Sequence, residues 1–157
     1  MHHRRIALFG ALTFAAVGLA ACGMAPAAPA APAATVQAAV AFTAVLSGVN
    51  ELPPRPGEAR GTLEAAYDPG SGQFTWTVVY AGLGGPVTAA HFHGPALPAQ
   101  NAGVVLPMTG SLVSPIKGSA TLTPAQAAEL SAGRWYVNLH TAAQPNGEAR
   151  GQVNLRP

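Results

Sequence analysis

The chain has 157 residues, 49% of them hydrophobic and only 9% charged, with 18 glycines, 15 prolines and a formal net charge of +2. That length allows one domain. So much glycine and proline excludes a helix bundle or coiled coil, and the apolar, weakly charged composition excludes a disordered chain. A single cysteine excludes an intramolecular disulfide framework and any Cys-rich zinc module.

In chain order, the first segment reads as a leader. Met1 to Arg5 is a basic start, and Ile6 to Leu19 is an apolar run of about 14 residues. That is the length of a signal-peptide core, short of the roughly 20 residues that span a bilayer. Leu19-Ala20-Ala21-Cys22 follows, and it resembles the lipobox of bacterial lipoproteins. The other reading is an ordinary secretory signal with a chance cysteine. The resemblance implies a signal peptide over residues 1–21, cleavage before Cys22, and lipidation of Cys22 with a diacylglycerol and a third, palmitate-like acyl chain. Such an anchor holds to a membrane far better than one chain alone. Lipoproteins retained in the inner membrane often carry Asp after the cysteine. Gly23 stands there instead, which favours the outer membrane, facing the periplasm, or the cell surface. Residues 22–35 then form the lipidated cysteine and a Pro/Ala tether, in which prolines three residues apart favour an extended, semi-rigid spacer.

Loss of Arg4 and Arg5 with the leader leaves six basic residues against six acidic ones. No basic stripe remains, so nucleic acid is not an expected partner.

From residue 36 onward, short β-prone runs alternate with turns. Val40 to Leu46 and Gly61 to Tyr67 read as strands, the second ending in the turn Asp68-Pro69-Gly70-Ser71-Gly72. Gln73 to Tyr80 is the clearest, with Phe74, Trp76, Val78 and Tyr80 on one face. Val87–His93, Gly103–Met108, Leu112–Ile116, Gly118–Leu122, Trp135–Thr141 and Ala149–Leu155 follow. One helix is expected after Thr123, with Pro124 at its first position, Gln126 completing a capping box and Gly133 ending it. The pattern predicts an all-β fold, an antiparallel barrel or sandwich with one short helix. Pro56-Gly57-Glu58-Ala59-Arg60-Gly61 returns as Pro145-Asn146-Gly147-Glu148-Ala149-Arg150-Gly151. The expectation is that these terminal strands pair, with Glu and Arg in surface ion pairs of a few tenths of a kcal/mol. A duplicated ligand site is the alternative.

Every histidine beyond the leader falls in two segments, His91-Phe92-His93 and the run that ends in His140. Residues i and i+2 of a strand share a face, so His91 and His93 converge while Phe92 packs behind them. Alternation sets Trp135, Val137 and Leu139 opposite Tyr136, Asn138 and His140. If the two strands are neighbours, three imidazoles meet, a set that suits copper or zinc. Water, Asp68, Met108 or Asn138 would be the fourth ligand. Structural hydrogen bonding by the same histidines is the competing reading.

Ala90-His-Phe-His-Gly-Pro-Ala96, Gly103-Val-Val-Leu-Pro107, Thr121-Leu-Thr-Pro-Ala-Gln126, Tyr136-Val-Asn-Leu-His-Thr141 and Pro145-Asn-Gly-Glu-Ala-Arg-Gly-Gln152 together resemble the CHRD (chordin) domain, over roughly Ala41 to Val153. The resemblance implies an immunoglobulin-like β-barrel over residues 36–157 and no established activity. A looser likeness to Cu/Zn superoxide dismutase stops at the His-x-His motif, because the further histidines of a binuclear site are missing. No Gly-x-Ser-x-Gly elbow, phosphate-binding loop or His-Glu-x-x-His helix is present, and an enzyme is not expected. The sequence reading is thus a lipid-anchored envelope binding module holding copper or zinc at His91, His93 and His140. Its competitors are a metal-free domain that docks on another envelope protein and, third, a mononuclear copper redox enzyme.

Overall fold

A computed structural model describes residues 37–157. The leader, Cys22 and the tether lie outside the described residues. Nine strands and one helix follow in order: β1 (Val40–Ser47), β2 (Arg60–Asp68), β3 (Gln73–Ala81), β4 (Val87–His93), β5 (Val104–Pro107), β6 (Ile116–Thr121), α1 (Pro124–Ser131), β7 (Tyr136–Thr141), β8 (Ala149–Gln152) and β9 (Asn154–Leu155). They form one antiparallel sheet in the order β5-β4-β7-β8-β1-β2-β3-β6, with β9 pairing on β1.

The sheet curls around a single core. Phe74 of β3 meets Phe92 of β4 at 5.3 Å between ring centroids, and Trp76 meets Phe92 at 5.4 Å. Those strands stand far apart in the sheet order, so the contact forms only because the two halves fold towards each other. Period-2 alternation supplies the core side: Phe42, Ala44 and Leu46 from β1, Phe74, Trp76 and Val78 from β3, Val137 and Leu139 from β7. The all-β architecture with one short helix is therefore as expected, and it is a half-barrel whose edges are β5 and β6.

Helix α1 has the predicted cap. The Thr123 side chain accepts from the Gln126 amide, the Gln126 side chain reaches back to the Thr123 amide, and Pro124 opens the helix. Gly133, at φ 67°, follows its last turn.

Three expectations need correction. Residues 112–115 are not a strand: Pro115 has no amide hydrogen for a ladder, and Leu112 and Ser114 instead bond Tyr80, the first through its carbonyl and the second through its hydroxyl. The final run splits at Val153, whose side chain enters the core and whose amide donates to the Trp135 carbonyl, so that β9 crosses to β1. The two Gly-Glu-Ala-Arg-Gly copies do not pair with each other. They flank β1, and Ser47 stands opposite Arg60 on one side and Arg150 on the other. Glu58 and Arg60 are exposed and 3.7 Å apart, a contact of little energetic worth. In the second copy Arg150 is buried, and Glu148 accepts from the Thr141 hydroxyl and the Gly84 amide. One sequence echo thus serves two environments.

Candidate metal centre

β4 and β7 are neighbours, with His91 opposite Asn138 and His93 opposite Tyr136. The regular register runs on to Ala89 opposite His140 before it shifts towards Val87, so His140 lies diagonal to His91. Phe92, Val137 and Leu139 point into the core; alternation then sends His91, His93, Asn138 and His140 to the outer face. That face is roofed rather than bare. Every residue of β7 is buried, because loops near residues 48–55, 100–102 and 145–147 fold across it. The result is a roofed cleft of about 360 Å³ beside His93, Asn138 and His140.

Candidate ligand nitrogens of His91, His93 and His140 lie within 4.8 Å of one another. His91 Nδ1 is 3.2 Å from His140 Nε2, close to the roughly 3.3–3.4 Å that a tetrahedral ion with bonds of about 2.0–2.1 Å imposes. Two rings have their tautomer fixed from behind. His93 Nδ1 is 3.0 Å from the Ala102 carbonyl, and His140 Nδ1 is 2.9 Å from the Pro145 carbonyl. A carbonyl only accepts, so each Nδ1 carries the hydrogen and each Nε2 keeps a lone pair. Backbone carbonyls orient metal-binding histidines in this way. His93 Nε2 is buried and has no partner.

The surroundings hold His93 in place. Its ring stacks on Tyr136 at 4.8 Å and 4° between planes, and the Arg150 guanidinium lies 3.4 Å from the centroid of the same tyrosine. Tyr136 Oη donates to the Ala102 carbonyl that also receives His93. Arg150 donates to Asn101 Oδ1 and the Gln100 carbonyl, tying the loop to β8.

Burial lowers the pKa of all three histidines, because a charged imidazole loses hydration there. The other imidazoles add repulsion at His91 and His93, whereas the Ala102 and Pro145 carbonyls oppose the shift at His93 and His140. Neutral rings with free lone pairs are the form that binds a cation.

Of the fourth-ligand candidates, Asp68 is taken up in its own turn, accepting from the Gly70 amide and the Ser71 hydroxyl. Met108 belongs to the core cluster, on the side of β4 away from the histidines. Asn138 is at the site, with Oδ1 2.9 Å from His140 Nε2. Glu51 was not expected. It is 4% exposed, its Oε1 is buried without a partner, and it lines the cleft with His93 and His140. Burial raises its pKa, against the pull of Arg150. No periodic pattern marks it, since it lies in the loop Asn50-Glu51-Leu52-Pro53-Pro54, which reads as solvated. Gly147 permits the approach: it sits at φ 120°, and a Cβ there would lie 2.6 Å from Glu51 Oε1 and 2.8 Å from Asn138 Nδ2.

A family model described as CHRD domain matches residues 42–153. No curated protein and no solved structure matches the chain.

Proposed function

We propose that this chain, which belongs to the CHRD domain family, is a cell-envelope binding module that holds one transition-metal ion, copper or zinc, through His91, His93 and His140. One observation carries the reading: two imidazoles on neighbouring strands, lining one cleft, are pinned by backbone carbonyls so that each Nε2 keeps its lone pair, and a His91 nitrogen lies within 4.8 Å of both rings' ligand atoms. A ring needed only for packing gains nothing from leaving a buried nitrogen without a partner, as His93 does, at a cost of about 1–3 kcal/mol. Three imidazoles with no thiolate among them suit copper and zinc. The lipobox-like run before Cys22 supports a lipid anchor at the outer membrane or cell surface, with residues 22–35 as the spacer.

The competing reading is a metal-free interaction domain. What favours it is the contact between His91 and His140 at 3.2 Å, which joins the two strands with no ion at all. Calorimetric titration of Cu²⁺ and Zn²⁺ into protein without an affinity tag separates the two. Wild type should bind one ion. His91→Ala, His93→Ala and His140→Ala should each weaken binding at least tenfold. Equal, weak uptake by all four proteins would give the site to hydrogen bonding.

A further inference from the structure

The contact between Asn138 and His140 lacks a hydrogen. Because His140 Nδ1 spends its hydrogen on the Pro145 carbonyl, Nε2 is an acceptor, and so is the Asn138 Oδ1 that stands 2.9 Å away. Two acceptors at that distance repel unless a cation lies against both. The amide is kept in this orientation from its other end, where Nδ2 and the unpartnered Glu51 Oε1 crowd the bare α-carbon of Gly147. Turning the amide over would set an oxygen against that carboxylate. Asn138 is itself 4% exposed, with its Oδ1 against His140 Nε2. It is the polar centre of the cleft.

We propose that Asn138 supplies Oδ1 as the fourth ligand, completing a site of three histidines and one amide oxygen, and that Glu51 is the positioning residue that orients it. This rests on the metal reading above and deepens it. A tetrahedral ion held by four protein ligands has its positions filled, as in structural sites rather than those that activate a water.

Azide added to the Cu²⁺-loaded full chain provides the test, because it gives a charge-transfer band only where a coordination position is open. Wild type should show no band at millimolar azide. Asn138→Ala should bind Cu²⁺ 10–100-fold more weakly, the usual loss when a metal site is depleted, and should gain the azide band and an altered copper EPR spectrum. Glu51→Gln should lose roughly tenfold in affinity and gain a weaker band, and Glu51→Asp should recover part of both. A wild-type band, or an Asn138→Ala protein with unchanged affinity and spectrum, overturns the inference while leaving the three-histidine site in place. Failure of wild type to bind Cu²⁺ overturns both. The wild-type azide measurement decides the matter even if Asn138→Ala does not fold.

Discussion

At the scale of single residues, the histidines couple stability to pH in a direction fixed by their surroundings. Burial lowers each folded-state pKa below its ordinary value, so between that lowered pKa and about 6.5 the unfolded chain binds more protons than the folded one. The stabilisation is complete above about pH 6.5 and is lost as pH falls through the folded-state values. Thermal melts of metal-free protein should therefore show Tm dropping as pH falls from 7 to 5, and replacing all three histidines by Gln should flatten that slope. A wild-type Tm indifferent to pH would mean that the rings are not buried as neutral imidazoles. Saturating Zn²⁺ should push the onset lower still, because ion and proton compete for the same lone pairs.

At the scale of elements, β3 carries the core. Trp76 packs against Phe74 at 5.6 Å and against Phe92 at 5.4 Å between centroids, so Trp76→Ala should cost about 3–5 kcal/mol in urea unfolding. Gly118 on β6 lies flat against the indole, where a Cβ would come 2.4 Å from Trp76 Cζ2. Gly118→Ala should overpack that face and cost about 1–3 kcal/mol; no loss at either position would place the core elsewhere. Strand β3 was legible because Phe74, Trp76 and Val78 alternate with Gln73, Thr75, Thr77 and Val79 between Asp68-Pro-Gly and Gly82. The His91, His93 and His140 cluster was legible for the same reason, since period 2 alone assigns their face. What the pattern does not carry is the roof. Glu51, the Ala102 and Pro145 carbonyls and the Gly147 turn come from loops with no periodicity, and they meet the histidines only through tertiary closure. Arg150 was expected in a surface pair with its echo, yet its burial depends on Tyr136 and the loop at Gln100, which no local rule announces.

For the molecule as a whole, the proposed location of the domain rests on Cys22 and the tether. If the lipobox-like run directs lipidation, the mature N-terminus is an acylated Cys22 in the membrane fraction. Cys22→Ser should abolish the lipid adduct in mass spectrometry and release or stall the precursor; an unmodified wild-type Cys22, or cleavage at another residue, would remove the anchor from the proposal. The compositional case for an all-β fold holds among the described residues, where a single core spans both halves of the sheet.

Strand β1 stands at the middle of that sheet, and one of its partners arrives early while the others arrive last. β2 follows directly, whereas β8 and β9 come from the far end of the chain, with the Asn50 side chain donating to the Arg150 carbonyl across 100 residues of sequence. Pairings of such separation slow folding towards milliseconds to seconds. While the chain emerges from its N-terminus, one side of β1 waits unpaired, a template for the wrong strand. The tyrosine, arginine and histidine stack cannot assemble until β8 docks, so this clock also sets when the cleft first exists: an ion bound as proposed would meet a finished domain rather than nucleate one.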